Sequence, residues 1–339
     1  MRQIFTHKGE KVKKLPTIVV LATGGTIAGQ KDGKTYRAGA VKISEFLSVF
    51  EWLEGIAQVR TEQFCQIGSQ DMTSKILLAL CRRVQELVED ESVDGVVVTH
   101  GTDTLEESAF LLNLCVASKK PVVLTGAMKS SDSLGSDGAA NLFDAVCVAA
   151  SKEAWGKGVL VVMSSLIHAA REVSKTHTTS LCAFASPNSG AIGSAFRRKV
   201  RFYLAPLRRH TTSSEFAPLR VAELPRVDVL YSGVDGVSKE LLDASLRGTK
   251  AVVACGVGNG NFSQSVLEAL KQAAQNGVAV VRVSRTLRGE ISASGEVNDA
   301  ECGFLRGDNL NAQKARILLQ VALASGLKNE DLARVFEEY

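Results

Sequence analysis

No stretch of this 339-residue chain approaches the ~18 uninterrupted apolar residues that a spanning helix requires, so no membrane partner is expected. Charge of neither sign dominates: 40 Lys and Arg face 36 Asp and Glu, for a net charge of +4. No basic stripe carries interleaved aromatics, and nucleic acid is not an expected partner either. Cysteine is scarce and odd in number. The seven stand at 65, 81, 115, 147, 182, 255 and 302, without a C-x-x-C and mostly in apolar segments such as Ala79-Leu80-Cys81. They read as small buried hydrophobes rather than a disulfide framework or a zinc site. The histidines show no metal-ligand spacing. Residues 1–14 are basic but lack a continuous apolar region, and predict a disordered or frayed tail rather than a secretory signal.

Cofactor fingerprints are missing as well. In Gly256-Val257-Gly258-Asn259-Gly260-Asn261 an asparagine stands where the dinucleotide motif needs its last glycine. Gly24-Gly25-Thr26-Ile27-Ala28-Gly29 also misses that motif, neither stretch is a Walker A, and no G-x-S-x-G elbow occurs.

What is present is a chain of apolar strands that end in polar turns. Thr17-Ile18-Val19-Val20-Leu21-Ala22-Thr23 runs into Gly24-Gly25-Thr26, which reads as a buried strand delivering a hydroxyl to the edge of a sheet. Two glycines there are expected to leave room for a substrate beside the Thr26 hydroxyl. A polar loop with Gly33 and Tyr36 follows, and Ser44 is placed as the cap of a short helix. Val59–Ile67 ends in Gly68-Ser69-Gln70, and Gly95–Val98 ends in Thr99-His100-Gly101-Thr102-Asp103. Between them, apolar residues recur with helical period from Ile76 to Val88, capped by Thr73 or Ser74. Thr104 with Glu107 matches a capping box for the next helix.

This alternation predicts an α/β fold with a larger N-terminal parallel-sheet domain. The texture changes between Pro206 and Pro225, and a second strand–helix series starts at Val227. The organisation expected is a basic tail over 1–14, an N-terminal α/β domain over 15–205, a linker over 206–225 and a smaller C-terminal α/β domain over 226–339.

Three hydroxyl-bearing turns at one sheet edge converge on one crevice, at the carboxyl ends of the strands where open α/β sheets bind ligands. A hydroxyl attacks poorly until a base takes its proton. Lys175 is a candidate base for Thr102; alternatively, Asp103 grips a cationic group of the substrate.

Leu21–Gly29, Ile67-Gly68-Ser69-Gln70-Asp71-Met72 and Thr99–Glu107 together resemble the signatures of the bacterial L-asparaginases, type II group. Pro121–Met128, Gly256–Asn261 and Asn311-Ala312-Gln313-Lys314-Ala315-Arg316 extend the resemblance over nearly the whole chain. It implies a flavodoxin-like N-terminal domain and hydrolysis of asparagine to aspartate and ammonia, without cofactor or metal. By position, Thr26 corresponds to the primary nucleophile, with Tyr36 beside it on a mobile loop. Lys175, Thr102 and Asp103 correspond to a second catalytic cluster. Ser69, Gln70, Thr102 and Asp103 would hold the substrate's α-carboxylate and α-ammonium, with Ala127 also at the substrate. Glu296 and Asn261 would reach the site from a neighbouring subunit of a homotetramer.

Some positions depart from the family pattern: Lys129-Ser130 where Arg-Pro is common, and Asn298 where an aspartate is common. The cysteine pair of some periplasmic members is missing, and a cytoplasmic location is expected, with the periplasm as alternative. The competing functions are a mixed glutaminase-asparaginase and a non-catalytic amino-acid-binding protein on the same scaffold.

Overall fold

The computed structural model describes residues 14–32, 35–37 and 51–339. The basic lead-in before residue 14, Gly33, and the helix expected after Ser44 lie outside the described residues.

Strand β1 (Thr17–Gly24) is buried along its whole length, as a β-branched apolar run in the middle of a parallel sheet should be. Beyond it, β2 (Gln30–Asp32) and β3 (Thr35–Arg37) pair as an antiparallel hairpin with Lys31 opposite Tyr36. Strand β4 (Gln58–Ile67) returns beside β1 in parallel and alternates between exposed and half-buried positions, because it lies at the edge of the sheet. Helix α1 (Ser74–Glu89) starts at Thr73, whose hydroxyl accepts the Ile76 N–H at 3.3 Å. Its buried stripe of Leu77, Leu80, Cys81, Val84, Leu87 and Val88 faces the sheet. β5 (Gly95–Thr99) then pairs on the other side of β1.

Helix α2 (Leu105–Cys115) is buried on nearly every side. β6 (Val122–Thr125), α3 (Gly138–Ala149) and β7 (Val159–Met163) complete the parallel part of the sheet. The chain then reverses. Ser164 and Ser165 take left-handed φ angles of 50° and 62°, and β8 (Leu166–Ala169) runs antiparallel to β7. β9 (Ser174–Lys175) pairs with β10 (Phe184–Ala185), and β11 (Gly193–Phe196) and β12 (Lys199–Phe202) finish the eight-stranded sheet. Its order is β12-β11-β8-β7-β6-β5-β1-β4, so the sheet is mixed rather than wholly parallel.

The segment 206–225 is irregular apart from one short turn, yet it packs closely. Phe216 is buried with its ring 5.1 Å from that of Tyr339, and the Leu219 N–H donates to Cys115 O at 3.0 Å. The smaller domain follows with β13 (Asp228–Tyr231), α4 (Lys239–Leu246), β14 (Ala251–Gly256), α5 (Gln264–Gln275) and β15 (Ala279–Ser284). It ends with α6 (Asp299–Cys302), β16 (Leu305–Arg306), α7 (Ala312–Ala324) and α8 (Asn329–Glu338). The four strands form a parallel sheet in chain order.

The two domains share one core. A single cluster of buried residues runs from Val96 and Phe110 through Leu318 and Leu319 of α7 to Val253 and Val281. Each such side chain contributes about 1.5–3 kcal/mol on burial. Helices α2 and α7 pack against each other within this core.

Candidate active site

Glycine brings three strand ends together. Gly25 has φ 79° and ψ −171°, a conformation nearly closed to other residues. A Cβ there would lie 2.4 Å from the Gly101 backbone, and one on Gly24 would lie 2.4 Å from Ile67 O. A Cβ on Gly101 would come within 2.6 Å of Ser69 Oγ. The Cβ positions of Gly24 and Gly25 are thus filled by neighbouring backbone, while Gly25 also borders the open space beside Thr26.

The three turns enclose a cavity of about 250 Å³ lined by Gly25, Thr26, Ser69, Gln70, Gly101, Thr102 and Asp103. Thr26 opens a short turn after β1 and is half-buried. Ser69 and Thr102 are buried, whereas Gln70 and Asp103 are exposed. Ser69 stitches two turns together: its hydroxyl accepts the Asp103 N–H at 3.1 Å, and its carbonyl accepts the Thr104 hydroxyl at 2.8 Å. Thr104 therefore does not cap α2, and the capping-box reading falls. Its supposed partner Glu107 instead pairs with Arg316 at 2.7 Å. Burial raises the Glu107 carboxyl above its ordinary value, with Arg316 opposing.

His100 is fully buried behind the turn, and that burial lowers its pKa and keeps the ring neutral. Its Nδ1 lies 2.8 Å from Gly101 O and its Nε2 2.9 Å from Ser108 Oγ. The neutral ring then donates from Nδ1 and accepts at Nε2. It braces the turn rather than facing substrate.

Lys175 reaches the turn from β9. Its Nζ donates to Thr102 Oγ1 at 3.0 Å and to Asp103 Oδ1 at 2.6 Å. The lysine side chain is 18% exposed and the aspartate 61%, so the carboxylate is open to an incoming cation while the ammonium is not. The ion pair with Lys175 leaves much of the Asp103 carboxylate exposed beside the cavity.

The other candidate residues lie elsewhere. Asn261 Nδ2 donates to Glu296 Oε2, so these two meet each other, and neither lines the cavity at Thr26. Ala127 is fully buried and does not line it either. Tyr36 is placed by its main chain in β3, and its side chain lies outside the described residues. Lys129 donates its main-chain N–H to Asp137 Oδ1 at 2.9 Å, and Asn298 caps α6 by accepting from Ala300 N at 3.2 Å.

Glu106 was not singled out in the sequence. It is 4% exposed, and its Oε2 accepts the Lys175 main-chain N–H at 2.7 Å. Two adjacent glutamates opening a helix that is buried on nearly every side were the available signal. A larger cavity, about 890 Å³, opens near Leu15, Asp94 and Cys147 at the amino ends of the strands. Burial pushes its Cys147 thiol up to about 12, so it offers no thiolate nucleophile.

Known proteins are similar to this chain across both domains. Residues 17–208 match the family model of the asparaginase N-terminal domain, and residues 226–336 that of the glutaminase/asparaginase C-terminal domain. L-asparaginase 2 of Escherichia coli (strain K12) is 41% identical over 331 residues, covering 96% of this chain and 94% of that protein. Glutaminase-asparaginase of Pseudomonas fluorescens biotype A is 40% identical over 336 residues, covering 97% and 92%. The crystal structure of a probable cytoplasmic L-asparaginase from Campylobacter jejuni superposes with a TM-score of 0.91 at 38% identity, covering 96% of this chain and all of that one.

Proposed function

The chain belongs to the asparaginase family, and from that premise we propose that it is an amidohydrolase converting L-asparagine to L-aspartate and ammonia. The observation that carries this reading is Lys175 Nζ held 3.0 Å from Thr102 Oγ1 and 2.6 Å from Asp103 Oδ1, beside the cavity that contains Thr26.

Asparagine is a zwitterion, and the cavity answers both of its charges. Asp103 is the exposed carboxylate for the α-ammonium. Ser69 and Gln70 offer donors for the α-carboxylate. In the proposed reaction the Thr26 hydroxyl adds to the side-chain amide carbon, its proton passing to a base. Collapse of the adduct expels ammonia once the leaving nitrogen is protonated, and water then releases aspartate from the acyl-enzyme. Main-chain N–H groups at the strand ends are suited to the developing oxyanion, each worth roughly 10²–10³ in rate. Lys175 and Thr102 form the proton-handling pair, and Tyr36 closes over bound substrate.

Glu296 and Asn261 are proposed to complete the site from a neighbouring subunit of a homotetramer, in keeping with their position away from the cavity of their own chain. Ala127 is proposed to meet substrate through its main chain. The boundary between catalytic and C-terminal domains is placed in segment 206–225, and the compartment proposed is the cytoplasm, with the periplasm as alternative. Seven free thiols are in keeping with the former.

A mixed glutaminase-asparaginase is the second reading, favoured by the Pseudomonas relative's name. A binding protein without turnover is less favoured, since the Lys175–Thr102–Asp103 contacts are all formed. Steady-state ammonia release from both amides, measured across enzyme concentration, tests the reading. Release from asparagine with a higher kcat/KM than from glutamine supports an asparaginase, and comparable values support the mixed enzyme. Release from neither refutes both. Specific activity that falls on dilution supports the shared site, and active monomers refute it.

A further inference from the structure

We infer that Glu106 is a positioning residue for Lys175, and that helix α7 of the C-terminal domain holds it in place. This rests on the asparaginase reading of the same site and extends it to residues that do not touch the cavity.

Glu106 stands in the first turn of α2, and only three residues of chain separate it from Thr102 in the preceding turn. One carboxylate oxygen accepts the Lys175 main-chain N–H at 2.7 Å. The other accepts Asn311 Nδ2 at 3.2 Å and Gln313 Nε2, both from the start of α7. Asn311 Nδ2 also lies 3.0 Å from Ser174 Oγ, the neighbour of Lys175. The turn leading into Lys175 is held by the same helix: Lys314 Nζ, fully buried, donates to Arg171 O at 2.7 Å and to Val173 O. Burial pushes the Lys314 amine down to about 8, and Glu106 is the largest influence opposing that fall.

One buried carboxylate therefore joins the helix that follows the Thr102-Asp103 turn, the strand that carries Lys175 and the first helix after β16 in the second domain. Thr102 and Lys175 lie on different elements, and their 3.0 Å contact depends on the spacing of those elements. A shift near 1 Å in a reacting pair costs on the order of 10² in rate. Nothing in the hydrogen-bonding pattern gives Glu106 a direct contact with Thr102, Asp103 or the cavity, so its effect passes through Lys175.

The test uses the full-length protein. Glu106→Gln keeps the shape but turns one acceptor into a donor that faces the donor groups of Lys175, Asn311 or Gln313. It is expected to lower kcat for asparagine about 10–100-fold, with KM within about threefold. Amide exchange at Lys175 should accelerate in the same variant. Asn311→Asp retains the cap of α7 through its carboxylate but sets like charge against Glu106, and should lower kcat about 3–10-fold. Arg316→Met breaks the neighbouring Arg316–Glu107 pair across the same domain contact without touching Lys175. It should lower Tm yet leave kcat within about twofold.

A folded Glu106→Gln protein with kcat within twofold of wild type overturns the inference, as does an Arg316→Met loss as large as that of Glu106→Gln. Should Glu106→Gln fail to fold, unchanged kcat in Asn311→Asp overturns it equally. An unmutated protein that releases no ammonia counts against the asparaginase reading, while Lys175 exchange still reports on the role of Glu106.

Discussion

Strands β1 and β14 are both buried along their full length, and both end in glycine-rich turns, yet the two turns serve different ends. The turn after β1 packs against turns from two other strands, Gly25 on Gly101 and Gly101 on Ser69, and the gap between them is the cavity at Thr26. The turn after β14 folds back on itself. Val257 and Asn261 exchange main-chain hydrogen bonds of 3.0 and 2.8 Å, and a Cβ on Gly256 would lie 2.4 Å from Gly260 C. The space behind it is filled by the Arg282 guanidinium, 1% exposed, which donates to Asn259 O at 2.7 Å, to Ser292 O at 2.6 Å and to both oxygens of Asp299. A glycine-rich strand end makes a crevice only where other strand ends stand beside it. Closed on itself, it presents a side chain outward, here Asn261 toward Glu296.

Mutation of the first turn should abolish chemistry, and mutation of the second should mainly affect folding. Thr26→Ala is expected to bring ammonia release below about one ten-thousandth of the wild-type rate with oligomeric state unchanged. Full activity would remove Thr26 from the role of nucleophile. Lys175→Met should reduce kcat about 10²–10⁴-fold in a protein with native Tm, as loss of a general base does. An unaltered kcat would reduce the Lys175–Asp103 contact to a structural ion pair.

On the other side of the comparison, Arg282→Met leaves Asp299 buried without its cation and should cost about 3–5 kcal/mol in denaturant unfolding. A midpoint equal to wild type would show that Arg282 does not organise the second turn. The two glycines give the closest contrast. Gly25→Ala meets both an excluded backbone conformation and the Gly101 backbone, and should cost about 3 kcal/mol along with most of the activity. Gly258 has φ 52° and open space around its Cβ position. Gly258→Ala should cost only about 1–2 kcal/mol and leave ammonia release within about threefold. Equal losses of activity in the two variants would erase the distinction.

Much of the fold was legible because its signals are local. An apolar β-branched run such as Gly95–Val98 marks a buried parallel strand, and the period of Leu77, Leu80, Val84 and Leu87 marks a helix face, whatever surrounds them. The reversal at Ser164-Ser165 was not legible. It depends on two non-glycine residues in left-handed conformation, which no apolar pattern announces. Nor was the use made of Thr104 and Glu107. Their spacing fits a capping box, but Ser69 and Arg316, both distant in sequence, compete for them and prevail.

By itself, the sequence determined which residues stand at strand ends, that three of those ends carry hydroxyls, and, through an ordered set of motifs, the family. Those properties are written in short stretches of chain. Only the tertiary structure decided that Lys175 stands within 3.0 Å of Thr102, that Asn261 bonds Glu296 away from the Thr26 cavity, and that Glu106 bonds both Lys175 and the start of α7. Such contacts follow from the packing of whole elements around a shared core, and they bring together residues that no local stretch of sequence relates.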